Sequence, residues 1–195
     1  SVNLSSGTMT DTTAGGLGTD TVLNIENLIT GSGNDTIVGS AVSNVLDTGL
    51  GNDQIDAGAG ADTVLSGDGN DSIQAGSGND SVVAGVGDDW IDGGANDDTL
   101  SGGLGDDQML GGSGVDVIDG GDGNDILDGG TDNDSVSGGD GADTVLASVG
   151  NDTLDGGTGT NTLQAIQTQI INGQVTDVTG NLSVDMGAGT LTDTT

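Results

Sequence analysis

The sequence predicts an all-β chain wound as a parallel solenoid, with two short strands in each coil. Three observations carry the prediction. The chain repeats every nine residues, a large aliphatic residue recurs at one fixed place in the repeat, and Gly and Asp recur at others. The remaining composition fits no ordinary globular interior. Among 195 residues there are 41 Gly and 32 acidic residues, and there is no Lys, Arg, His, Cys, Pro, Tyr or Phe. All the acidic residues except Glu26 are Asp, and Trp90 is the single aromatic. A net charge of −32 with this much Gly would ordinarily mean disorder, unless something neutralises the aspartates and a repeat supplies a thin core.

The same composition excludes whole classes of function. Without Lys or Arg no surface can attract nucleic acid or clamp a phosphate. Without His or Cys there is no zinc or haem site of the usual kinds, no disulfide and no thiol nucleophile. The Ser and Thr hydroxyls have no His or Lys to activate them, so no enzyme is expected. No run of 18 apolar residues is present to span a membrane, and no basic, apolar leader opens the sequence.

Blocks of nine begin at Thr30 and run without insertion or deletion to Gln164, fifteen in all. A representative block is Gly120-Gly121-Asp122-Gly123-Asn124-Asp125-Ile126-Leu127-Asp128. The eighth position is aliphatic in every block, from Ile37 and Leu46 through to Leu163. The sixth is Asp in thirteen blocks, with Asn44 and Asn161 as exceptions. The second is Gly except at Ser40 and Ser148, and the fourth is Gly except at Val42, Asn96 and Asp132. Asn and Asp tolerate a left-handed backbone, so Asn96 and Asp132 fit a turn there, whereas Val42 predicts an irregular first turn. An isolated further match, Gly15 to Leu23, precedes the array out of phase.

The pattern Gly-Gly-x-Gly-x-Asp-x-aliphatic-x resembles the repeats-in-toxin (RTX, haemolysin-type) calcium-binding proteins. Residues 30–164 carry the resemblance, and fifteen matches in unbroken phase make it specific. It implies a right-handed parallel β-roll, a β-helix-like solenoid. It also implies calcium between neighbouring coils, held by such Asp residues and by backbone carbonyls. In the family such arrays leave a calcium-poor bacterial cytoplasm unfolded and fold outside it, so a secreted or cell-surface location is expected, by type I secretion.

Physically, the first six residues of a block are expected to turn, the glycines allowing positive φ. The last three are expected to form a very short strand whose middle residue points inward. Two blocks then make an 18-residue coil, and coils stack at about 4.8 Å. Stacking sets each sixth position over the one 18 residues away. One edge carries Asp35, Asp53, Asp71, Asp89, Asp107, Asp125, Asp143 and Asn161; the other carries Asn44, Asp62, Asp80, Asp98, Asp116, Asp134 and Asp152. Carboxylates about 5 Å apart repel by roughly 1 kcal/mol in water and several times that near a protein surface. A hard divalent cation between them reverses the sign, and carboxylate and carbonyl oxygens suit Ca²⁺. Adjacent Asp pairs give about eleven full calcium sites, six on the first edge and five on the second, with weaker ones where Asn ends a column. An EF-hand is excluded by the lack of a bidentate Glu at its twelfth position. Catalytic carboxylate pairs would not be repeated identically along two edges.

Seventh positions are expected to face outward. One side is flat and β-branched (Val45, Thr63, Ser81, Thr99, Val117), and the other is bulkier and carries Trp90, either as a tolerated aromatic or as an anchor for a neighbour. Mixed third positions (Ser32, Leu50, Asp68, Val86, Leu104) argue against an ice-binding face.

The flanks are expected to cap the rod: 1–29 as a β hairpin segment, and 165–195 as a short antiparallel meander. The meander turns at Asn172-Gly173 and has an alternating strand at Leu182, Val184 and Met186. Residues 1–13 also resemble 183–195, with eight identities at an offset of 182. The chain therefore reads as one unit of 182 residues followed by the first strands of another. Three functions compete: a calcium-stiffened structural unit of a surface layer, filament or long adhesin, with copies of itself end to end as the candidate partner; a calcium-triggered folding and secretion module of a toxin, protease or lipase; and a ligand- or ice-binding adhesin domain.

Overall fold

Alternating apolar and polar residues with a fixed period leave the backbone one economical arrangement, in which each nonapeptide adds one strand to one of two sheets. The computed structural model describes residues 1–10, 19–21, 25–165, 169–171, 174–176 and 183–185. The array strands alternate between an 11-stranded and a 10-stranded sheet, each built by parallel pairing of strands 18 residues apart. Thus Ile91 pairs with Ile73 and Met109 in one sheet, and Val82 with Val64 and Leu100 in the other. The chain is an all-β parallel solenoid of 18-residue coils, as its period predicts, and no helix occurs among the described residues.

The core is thin. The eighth-position side chains from Ile37 to Leu154 are at most 3% exposed and form one continuous cluster. Seventh positions face outward, as expected: Thr99 and Ser81 are exposed, and Trp90 is 40% exposed between Ser72 and Gln108. The left-handed turns also fall where the sequence places them, with positive φ at Asn96 and Asp132 and not at Val42. The strand before Val42, Thr36–Ser40, and the one after it, Val45–Asp47, are both shorter than the six-residue strands of the middle rungs.

Three expectations need correction. The strands are longer than the last three residues of a block. In the regular rungs, such as Ser81–Val86 and Trp90–Ala95, they run from the seventh position through the third of the next block. Second-position glycines pair across rungs, for example Gly85 with Gly103. The first position therefore belongs to the strand and points inward, adding a second column of small buried residues: Thr48, Ala57, Ser66, Ala75 and Ala84, then glycines.

The ladder also begins one half-coil before residue 30. Asn27–Ile29 pairs parallel with Val45–Asp47, setting Leu28 beside Leu46. This brings Glu26 to the foot of the second edge, where its carbonyl accepts the Val45 amide. Of the out-of-phase match upstream, the described residues Thr19–Thr21 pair antiparallel with Thr8–Thr10.

At the C-terminal flank the expected hairpin strands are present: Gln169–Ile171 pairs antiparallel with Gln174–Thr176. Asn172 and Gly173 lie outside the described residues. The strand around Val184 is not part of an antiparallel meander. Ser183–Asp185 pairs parallel with Thr153–Asp155, Val184 beside Leu154, and so continues a ladder. Leu182 and Met186 lie outside the described residues. At the N-terminal end Val2–Asn3 pairs parallel with Thr36–Ser40 and antiparallel with Thr8–Thr10, which covers its outer edge.

Candidate metal centre

The three-residue corner between strands, positions four to six, delivers every sixth-position Asp to an edge of the solenoid with its side chain turned under the sheet. All the nominated carboxylates from Asp53 to Asp152 are buried, at 0–3% exposure, and Asp35 at the open end is half-buried. The structure brings them together as two columns. Asp35, Asp53, Asp71, Asp89, Asp107, Asp125 and Asp143 follow one another on the first edge. Asp62, Asp80, Asp98, Asp116, Asp134 and Asp152 follow on the second, above Asn44.

One rule builds each column. The Oδ1 of every column Asp from Asp53 to Asp152 accepts the backbone amide of the residue 18 positions earlier, at 2.6 to 3.1 Å, as in Asp80 N–H to Asp98 Oδ1 and Asp89 N–H to Asp107 Oδ1. The second oxygen has no such partner. Eleven Oδ2 atoms, those of Asp53, Asp62, Asp71, Asp80, Asp89, Asp98, Asp107, Asp116, Asp125, Asp134 and Asp143, are buried without a hydrogen bond. The sequence contains no Lys or Arg side chain to face them.

From Asp98 to Asp143, where the first position of the block is glycine, the missing Cβ makes room for these oxygens. The Asp98 Oδ2 and the Gly111 carbonyl oxygen each come within 2.7 Å of the place a Cβ on Gly93 would occupy. The Asp116 Oδ2 and the Gly129 carbonyl do the same at Gly111, each at 2.5 Å. Two oxygens thus converge on one space beside each of these carboxylates. Among the described residues no three acidic side chains converge on one point, so a cation here must complete its shell with backbone carbonyls.

Burial has the electrostatic effect expected of it. Desolvation pushes the Asp89 and Asp98 carboxyls up to about 7, and those of Asp62, Asp107, Asp125 and Asp134 up to about 6, from an ordinary 3.8. Asp71, Asp80, Asp116 and Asp143 are raised for the same reason. The amide on Oδ1 pulls each of them back down, and for Asp89 the neighbouring Asp107 and Asp71 charges add to the rise. A buried carboxylate pressed toward neutrality, with one oxygen unsatisfied, is a site that a hard cation would relieve.

The chain matches the RTX calcium-binding nonapeptide repeat over residues 25–41, 29–64, 39–73, 65–100, 74–109, 101–136 and 128–163. The chain belongs to that family. The matches begin at residue 25, in agreement with the rung formed by Asn27–Ile29. Calcium is therefore the ion its repeats bind, and the orphaned oxygens and converging carbonyls fit that hard cation. A search of curated proteins finds no match.

The RTX array carries two polar features that the nine-residue reading passes over. On the first edge, fifth positions form an exposed ladder running the opposite way. The Asn52, Asn70, Asp88, Asp106, Asn124 and Ala142 amides each donate to the side-chain oxygen 18 residues before. Setting the sequence out by eighteen exposes the column Asn34, Asn52, Asn70, Asp88, Asp106, Asn124, which was the available signal. The second feature is a pair of buried hydroxyls. Thr48 Oγ1 donates to the Ser66 carbonyl at 3.0 Å, and Ser66 Oγ to the Ala84 carbonyl at 2.8 Å. The Asn exceptions also differ. Asn161 Oδ1 accepts the Asp143 amide as an Asp would, whereas Asn44 Oδ1 turns back onto the Ser40 amide of its own block.

Proposed function

We propose that this chain is a calcium-stiffened structural rod of a bacterial surface layer, filament or long adhesin, folded outside the cell and linked end to end with copies of itself. One observation carries the reading: eleven buried carboxylate oxygens without partners, in two unbroken columns along the whole solenoid. A catalytic site would concentrate such groups at one place. Here they recur on nearly every coil, so their effect is to make coil stacking conditional on a cation. About eleven calcium ions would occupy the columns, held by Asp35, Asp53, Asp71, Asp89, Asp107, Asp125 and Asp143 on one edge. Asp62, Asp80, Asp98, Asp116, Asp134 and Asp152 would serve the other. Eleven divalent ions against a net charge of −32 leave about −10, enough to keep the rod dispersed. Calcium supplies the charge that neutralises each column. The chain's own part is to hold Oδ1 with a backbone amide of the neighbouring coil, so that Oδ2 is aimed at the ion as the coils stack. The flanking segments 1–29 and 165–195 serve as the ends of the rod.

Antibody labelling of intact bacteria tests the location. The reading expects label on unbroken cells that is stripped when calcium is chelated. Label appearing only after lysis, or a chain fused to a single catalytic domain, would favour the folding and secretion module instead.

A further inference from the structure

The two ends of the rod fit each other. At the C-terminal end Ser183–Asp185 occupies the rung after Thr153–Asp155, with Val184 in the eighth-position column beside Leu154. At the N-terminal end Val2–Asn3 occupies the rung before Thr36–Ser40 in the other sheet, with Val2 beside Ile37 in that sheet's eighth-position column; a copy turned by half a coil sets the two columns in line. Sequence similarity at an offset of 182 makes Val2 the counterpart of Val184. Pairing register and sequence are separate observations, and both equate the same two residues. The strand that finishes one rod is thus the strand that starts another.

The second sheet at each end agrees. Among the described residues nothing pairs with the outer edge of Thr162–Ala165 at one end or of Asn27–Ile29 at the other. The aliphatic column does not stop at these edges. Leu163 and Leu28 remain packed on the core but only partly buried, as the last members of an unfinished stack would be. Setting the shared strand in its rung makes Asn27–Ile29 of the second copy the next strand after Thr162–Ala165 of the first, Leu28 over Leu163. The repulsion that opposes stacking is also weakest at this place, because the continued column reads Asp143, Asn161, then Glu26.

Building on the rod reading above, we propose that a second copy of this chain stacks head to tail on the first through these two strands. Residues 1–3 of one copy and 183–185 of the other are interchangeable in the rung above Thr153–Asp155, and Thr162–Ala165 pairs with Asn27–Ile29. In a single rod the outer edge of Val2–Asn3 is covered by Thr8–Thr10, through Val2 with Met9 and Asn3 with Thr8. That antiparallel hairpin is the cap of a free end and gives way on stacking. Its two residue pairs give way to pairing of the same edge with Thr153–Asp155 of the first copy, in the register that Ser183–Asp185 holds in the single rod. The contact is heterologous and does not close, so it propagates as a filament.

Cysteine cross-linking in the full-length chain tests it, since the chain has no cysteine of its own. Asn27 and Thr162 both face outward and are exposed. The proposal brings them to adjacent rungs about 4.8 Å apart, within disulfide range. Asn27→Cys and Thr162→Cys chains, distinguishable by mass, are mixed under mild oxidation in millimolar calcium. The expected result is a heterodimer at least about tenfold above the homodimer of either variant alone. Pairing Asn27→Cys with Thr144→Cys, one rung lower, should give none. Excess peptide of residues 1–13 should suppress the heterodimer, and a scrambled peptide should not. A chain that gains β-structure in calcium yet gives no heterodimer, or equal yield with Thr144→Cys, overturns the junction alone. No suppression by the peptide overturns the strand interchange. A chain that gains no β-structure in calcium overturns the rod reading as well.

Discussion

Removing calcium at neutral pH is expected to unfold the array rather than merely loosen it. A buried polar atom left without a partner costs about 1–3 kcal/mol, and more when it is charged. Eleven orphaned Oδ2 atoms therefore set roughly 10–30 kcal/mol against the folded state. Net stabilities of domains are only about 5–15 kcal/mol. The core that would have to offset this penalty is essentially one aliphatic side chain per nonapeptide plus a column of small residues. Each coil contacts only its neighbours, so the loss spreads along the rod. Far-UV circular dichroism at pH ~7.5, with chelator and then with millimolar calcium, reads the transition directly. The reasoning predicts a largely disordered chain becoming β-rich, with sigmoidal calcium dependence because each mid-column Asp serves two neighbours. A chelated chain with the same β signal and the same thermal midpoint as the calcium-loaded one would refute it.

Other consequences can be measured on the same material. In the calcium-free chain the folded-state carboxyls at about 6 to 7 bind protons more tightly than unfolded ones at 3.8, so protonation favours folding. That contribution is complete below the unfolded value and is lost as pH rises through about 6 to 7. Chelated chain should therefore show more β signal at pH ~5 than at ~8, and the calcium midpoint should rise as pH falls. A flat profile or the opposite slope would contradict the desolvation argument. Ile91→Asp puts an unpaired charge at a site 0% exposed and should cost upward of ~3 kcal/mol. The outward Thr99→Asp should cost about 0.5 kcal/mol or less; equal losses in calcium melts would mean the inward and outward faces are misassigned. Asp107→Asn, flanked in its column by Asp89 and Asp125, should remove about two calcium ions by equilibrium dialysis, and Asp35→Asn at the open end about one.

The period and the eighth-position column were legible because one constraint repeated fifteen times leaves little room for another fold. The two carboxylate columns follow from the same arithmetic. Strand length was not legible, because Gly is depleted from ordinary strands and a Gly-Gly step reads as a turn. In this solenoid Gly85 and Gly103 pair across the ladder with positive φ. The first rung was missed because the block ending at Ile29 has none of the repeat's glycines, although Leu28 keeps the phase. Alternation around Val184 announced a strand but not its partner, since parallel and antiparallel strands share a period of two. The orphaned oxygens were beyond the sequence altogether. They arise because a backbone amide one coil away takes Oδ1, a contact that exists only after stacking.

The two glycines that open a block make a final test of how the site is built, because they are needed for different reasons. Gly93 has an ordinary φ and is glycine for space. A Cβ there would crowd the Asp98 Oδ2 and the Gly111 carbonyl, each at 2.7 Å. Yet Ala75, at the same position one coil below in the same sheet, and Ala84 in the next block, are fully buried in the same column. Gly93→Ala therefore asks for an adjustment that neighbouring rungs already make. Its backbone term is favourable by about 0.4–1 kcal/mol through the unfolded chain, which offsets part of the crowding. Gly94 has φ +102, and a Cβ there would run into the Gly76 carbonyl, a backbone atom of the ladder that has nowhere to go. Its left-handed backbone alone costs a non-glycine residue about 1–2 kcal/mol, before the collision. In saturating calcium Gly93→Ala should thus leave the thermal midpoint within ~2 °C of the parent, while Gly94→Ala should lower it by ~5 °C or more. Calcium affinity should move the other way round, with Gly93→Ala weakening binding because it pushes Oδ2 out of its cradle. Equal melting losses for the two, or unchanged calcium affinity in Gly93→Ala, would mean that the first-position glycine does not shape the metal site.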